Sequence, residues 1–156
     1  MTFVELNKSM QNIVGLKLNA IRYACEMLMF DFERYTIHSQ CLTRIIKDDD
    51  ILLTTLDYQS WDGEHEENND EYYNLAKYKS EIEGGKVLSV EVNPLCDVII
   101  ALDNEITIQI LIQCSYAHYV EENEQYRFFK VSDDETENKK LPPHYVVYSK
   151  HIEIHG

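Results

Sequence analysis

From Tyr35 to Ile46 the side chains alternate. Ile37, Ser39, Cys41, Thr43 and Ile45 fall on one face of an extended chain, and His38, Gln40, Leu42 and Arg44 on the other. Residues 105–114 repeat the device, with Ile106, Ile108, Ile110 and Ile112 facing one way. A period of two over this length places successive side chains on opposite sides of a strand, so the chain is expected to build sheets that pack one face and wet the other.

The two stretches belong to longer segments that match at an offset of 71 residues. Cys25-Glu26-Met27-Leu28-Met29 aligns with Cys96-Asp97-Val98-Ile99-Ile100, and Tyr35-Thr36-Ile37 with Ile106-Thr107-Ile108. Upstream, with two residues inserted, Gly15-Leu16-Lys17-Leu18 aligns with Gly84-Gly85-Lys86-Val87. The match reads either as an internal duplication, with repeat units 15–83 and 84–156, or as two apolar hairpins of similar pattern.

Each unit has the chemistry of a β-meander. The first is expected to run through strands 16–24, 26–32, 35–46 and Ile51–Asp57, the second through 86–92, 96–102, 105–114 and Gln125–Val131. Glu33-Arg34, Asp48-Asp49-Asp50 and Asp103-Asn104 supply short polar turns, and Asn93-Pro94 ends a ladder. Two helices are predicted. Phe3, Leu6, Met10 and Ile13 recur at helical spacing between a capping Thr2 and a stopping Gly15. A second helix is read from about Asn69 to Glu83, with Asp70 and Glu71 in its first turn and Gly84-Gly85 after its end. Residues 132–143 read as a polar loop, and Val146–Tyr148 with Ile152–Ile154 as closing strands. The fold class is therefore α+β: two antiparallel β-meanders with an N-terminal and a central helix, in one domain over 1–156, a length suited to one core.

Charge narrows the function. The chain carries 28 Asp and Glu against 14 Lys and Arg, a formal net charge of −14, so its field repels phosphate backbones and draws basic proteins. Between Asp48 and Ala76 there are ten carboxylates and not one Lys or Arg. No apolar run reaches the roughly 18 residues of a membrane-spanning helix, and the N-terminus has no signal-peptide pattern, so a cytoplasmic protein without membrane contact is expected. Cys25, Cys41, Cys96 and Cys114 show neither CxxC nor metal-ligand spacing and read as reduced core residues. No nucleophile elbow, phosphate-binding loop, dinucleotide-binding glycine string or HExxH motif is present; no enzyme activity and no cofactor are predicted. The Asp48–Asp50 triplet does not follow the calcium-loop pattern. His144, His151 and His155 lie near the end, with His151, Glu153 and His155 expected on the wet side of a strand opposite Ile152 and Ile154.

The strongest candidate site is residues 57–71, where the only tryptophan, Trp61, lies among acids. Aromatic anchors inside a charged rim are typical of protein-binding hot spots, and a surface serving solubility alone mixes its signs. The partner-binding candidates are Asp57, Trp61, Asp62, Glu64, Glu66, Glu67, Asp70 and Glu71. A second acidic patch, Asp133, Asp134, Glu135 and Glu137, is diluted by Lys139 and Lys140.

Two resemblances bear on these readings. Four strands then a helix, twice, resembles the topology of the Whirly family of single-strand-binding proteins. The eleven tyrosines here are interleaved with acids rather than with the Lys and Arg that such binding uses, so no nucleic-acid partner is expected. The acidic, β-rich character of the whole chain, with Glu124-Gln125-Tyr126-Arg127-Phe128-Phe129 as an acid, x, aromatic, Arg, aromatic segment, is similar to bacterial immunity proteins of polymorphic toxin and contact-dependent growth inhibition systems. That resemblance implies an antitoxin that neutralises a cognate basic nuclease toxin by covering its substrate cleft. The alternative is a non-catalytic structural or regulatory interaction module, self-associating or part of a larger assembly.

Overall fold

The computed structural model describes residues 2–115, 123–131 and 144–156. Helix α1 (Phe3–Met10) starts at Thr2, whose hydroxyl accepts from the Glu5 amide while the Glu5 carboxylate accepts from the Thr2 amide. This reciprocal cap satisfies donors that a helix start leaves open. A 3-10 turn, Gln11–Ile13, extends α1, and Leu6, Met10 and Ile13 on its inner face are fully buried. The central helix α2 (Asp70–Ile82) is capped by Asn69, whose side-chain oxygen accepts from the Glu71 and Tyr72 amides.

Eleven described strands form two antiparallel sheets. They are β1 (Leu18–Ala24), β2 (Met27–Phe32), β3 (Tyr35–Ser39), β4 (Leu42–Lys47), β5 (Asp50–Thr54), β6 (Val87–Val92), β7 (Val98–Leu102), β8 (Ile106–Leu111), β9 (Tyr126–Lys130), β10 (His144–Val147) and β11 (Ile152–His155). One sheet has the order β1-β2-β3-β9-β10-β11 and the other β5-β4-β8-β7-β6. The α+β class read from the sequence is the class of the fold. Each meander keeps its first three strands together, and its later strands cross to the opposite sheet.

The crossing occurs inside the segment read as one strand, 35–46. Its alternation holds, since Ile37, Ser39, Cys41, Thr43 and Ile45 are all buried. The ladder nevertheless breaks at Gln40-Cys41, where both amides donate to the carbonyl of Gln125. Buried hydroxyls stabilise the bend: Ser39 Oγ lies 2.7 Å from Thr43 Oγ1, the Thr43 amide donates to Thr55 Oγ1, and Thr55 Oγ1 donates to the Cys41 carbonyl. The strand expected over Ile51–Asp57 also ends early. Thr54 Oγ1 accepts from the Leu56 amide and the Asp57 carboxylate accepts from the Thr54 amide, which winds Thr55–Ser60 into a 3-10 helix.

The halves meet about a local two-fold. Lys17 and Lys86, aligned in the sequence match, pair in an antiparallel bridge. Gly15 N donates to Val87 O and Gly84 N to Leu18 O; Leu18 N donates to Gly85 O and Val87 N to Leu16 O. Exchanging 15–18 with 84–87 turns each of these bonds into its counterpart. Gly15 and Gly84 both take left-handed φ, +84° and +96°, as do Cys25 and Cys96, +53° and +67°. Those turn positions correct the expectation that all four cysteines lie in the core: Cys41 is buried, Cys25 exposed, and Cys96 and Cys114 half-buried.

Each helix also guards an edge strand. Gln11 Nε2 on the α1 side donates to Val90 O of β6, and Asn7 Oδ1 accepts from Val92 N. After α2, Glu83 Oε1 accepts from Ile21 N of β1. Edge groups paired in this way do not recruit another chain.

Candidate partner-binding surface

The acidic segment crosses the surface from the end of β5 to the first turn of α2. Asp62 organises its middle by accepting from the Glu64 and His65 amides and from Asn68 Nδ2. These bonds hold the Asp62 carboxyl below its ordinary value. Trp61 Nε1 donates to the His65 carbonyl at 2.7 Å, and Ser60 Oγ accepts from the Asp70 amide, so the loop closes on itself.

Six of the eight predicted residues, Trp61, Asp62, Glu64, Glu66, Glu67 and Asp70, lie exposed along this ridge. Trp61 leaves 39% of its surface open, and the adjoining helix adds Tyr72 and Tyr73, 41% and 57% open. Among the described residues, no ion pair joins a ridge carboxylate to a Lys or Arg. The ridge thus offers large apolar area beside uncompensated negative charge.

Asp57 and Glu71 are placed differently. Asp57 is half-buried, accepting from Thr54 N and Asn74 Nδ2, which fixes the 3-10 helix to α2. Glu71 has no exposed surface, so it is not a surface contact of the folded chain. The sequence placed it in the first helical turn as a dipole-favoured acid; the packing of α2 on β1, β5 and the 3-10 helix turns it inward. Neither carboxylate oxygen makes a well-formed hydrogen bond, although the Tyr58 backbone amide lies near them. Burial first, then the charges of Asp57 and Glu26, push its carboxyl up to about 8, the Tyr58 backbone amide offsetting a little of this. No pattern in the sequence marks it out, because burial of one acid among ten is decided by helix rotation.

Other sequence candidates resolve into structure. The Glu124–Arg127 pair is an ion pair at 2.6 Å within a segment whose Tyr126 and Phe128 are buried, so packing accounts for that motif. His151 and His155 flank Glu153 at 3.1 and 2.8 Å on exposed surface. Ile152 is buried, while Ile154, expected inside with it, is exposed because β11 is the outermost strand. The acidic patch 133–137 and its lysines lie outside the described residues. Among the described residues, no group of three His, Cys, Asp or Glu is placed to hold a metal ion, and no helix is long and apolar enough to cross a membrane. Comparison with protein families, curated proteins and solved structures finds no match.

Proposed function

We propose that this chain is a cytoplasmic immunity protein that binds and neutralises a basic nuclease toxin through its acidic ridge. The observation that carries the reading is the run Trp61–Tyr73, where exposed aromatic side chains at the two ends flank carboxylates that no described cation pairs. Such a surface steers a basic partner by long-range attraction and gives it apolar anchors at contact. It competes for the cationic groove that a nuclease presents to a phosphate backbone. The alternative is a non-catalytic structural or regulatory interaction module, self-associating or part of a larger assembly; the helices cover the edges β1 and β6, which leaves β5 and β11 as the edges it would use.

The reading is tested by capture from the native organism at low salt, identification of the bound protein, and reconstitution of the purified pair. A basic nuclease domain held in an equimolar, salt-sensitive complex and inactive within it is the expected result. Charge reversal in Glu64→Lys, Glu66→Lys and Glu67→Lys together should weaken the complex by at least about a hundredfold, near 1 kcal/mol per reversed charge. Unchanged affinity and salt dependence in that variant would remove the ridge from the interface.

A further inference from the structure

Across the five-stranded sheet, rows of side chains alternate between core and solvent. Ile45, Ile108 and Ile100 form a buried row. The rows on either side of it, Thr54-Arg44-Gln109-Ile99-Glu91 and Ile51-Ile46-Thr107-Ala101-Ser89, therefore point outward. Ile99 and Ile51 are 42% and 52% exposed, so this face is open to solvent. The only charges in the two rows are Arg44 and Glu91, one of each sign, on a chain of formal net charge −14. A second copy can approach such a face without meeting a field of carboxylates.

Arg44 and Glu91 lack partners of opposite charge. Arg44 Nη2 donates to the side-chain oxygen of Gln109, and its Nε has no acceptor. Among the described residues neither Arg44 nor Glu91 is in an ion pair, whereas Arg22, Lys47, Lys79 and Arg127 each meet a carboxylate. The two cannot pair within one chain, because β4 and β6 stand three strand spacings apart, about 14 Å. A two-fold axis parallel to the strands and midway between β7 and β8 joins them across two copies. It lays β4 of one copy over β6 of the other, and β8 over β7, at the same level along the strands. Arg44 of each copy then faces Glu91 of the other, with Ile99 against Gln109 and Ala101 against Thr107 between the two pairs. Aligned sheets cross at about 30°, a small offset at the rim that an arginine side chain spans.

We propose that this face is the two-fold interface of a homodimer, closed by two Arg44–Glu91 ion pairs around an uncharged centre. Such an interface is isologous, each copy offering the same self-complementary patch. Its area sets its strength. Five strands of five or six residues span about 24 by 20 Å, near 500 Å2 per copy, which belongs with the smaller, weaker interfaces and gives association in the micromolar range. Salt should tighten the dimer, because screening removes the repulsion between two strongly negative chains whose contact face is neutral. No residue of the acidic ridge lies in the two rows, so the dimer is independent of the ridge reading.

Sedimentation velocity of the full chain, from low micromolar to submillimolar protein at low and at physiological salt, tests the interface. Wild type should pass from monomer to dimer as concentration rises, and at lower concentration in the higher salt. Arg44→Glu and Glu91→Arg should each weaken the dimer at least about tenfold, since each sets like charges against one another at both ends of the interface. Mixing the two variants should restore association, because their heterodimer regains one Arg–Glu pair at each end. A wild type that stays monomeric throughout overturns the dimer. A wild-type dimer insensitive to both reversals, or a mixture that associates no better than either variant alone, overturns this face as its interface. Should either reversal fail to fold by circular dichroism, Ile99→Lys beside the axis replaces it, and a dimer as tight as wild type is then the overturning result. None of these variants alters the ridge, so capture of a basic partner there is unaffected by every outcome.

Discussion

Glu71 makes the stability of this protein depend on pH in a direction opposite to that of most acids. A glutamate in the unfolded chain titrates near 4.5, whereas Glu71 in the fold titrates near 8. Its contribution is fully present below 4.5 and is lost as pH rises towards 8, at up to about 1.4 kcal/mol per pH unit, because the unfolded state loses its proton first. Glu71→Gln should remove that slope and exceed wild type in stability at pH 8. Urea denaturation from pH 5 to 8.5 checks this, and parallel profiles for the two proteins would clear Glu71 as the cause. The exposed acids of the ridge were legible in the sequence as an uncompensated run. The inward turn of Glu71 was not, since one step of helix rotation separates it from the exposed Asp70.

Strand and helix ends are set by local chemistry that reads well from the chain. Thr2, Asn69 and Thr54 accept from the first amides of their helices, as their residue types favour. Short turns take left-handed backbone at Cys25-Glu26 and Asp48-Asp49, which suits the twist of two-residue hairpins. One close approach is tighter than the rest. A Cβ on Gly85 would lie 2.4 Å from Oδ1 of Asn104, whose Nδ2 donates to the Glu81 and Ile82 carbonyls at the end of α2. Gly85→Ala should therefore displace Asn104, uncap α2 and cost about 1–3 kcal/mol, read as a lowered thermal midpoint. A midpoint within a degree of wild type would show that Asn104 moves aside freely.

Taken whole, the molecule interleaves its two halves. Strands β1 to β3 pair with β9 to β11, and β6 to β8 with β4 and β5, so neither sheet is complete within either half. The aligned strands β1–β3 and β6–β8 each begin one of the two sheets, and the aligned residues Lys17 and Lys86 meet on the local two-fold. Expressed separately, residues 1–83 and 84–156 should each be unfolded by circular dichroism, and mixing should restore a cooperative transition. A stable fold in either fragment alone would show that the crossing strands are not required.

The sequence by itself determined the class of the fold, the two helices, most strands to within a few residues, and the charge that narrows the choice of partners. These follow from periodicity, caps, turns and composition, which act over a few neighbouring residues. Tertiary structure decided which sheet each strand joins, that the strand 35–46 bends at Gln40-Cys41, and which carboxylate of the acidic run is buried. Those outcomes depend on contacts between residues far apart in the chain, such as the two amides that converge on the carbonyl of Gln125, and local pattern carries no record of them.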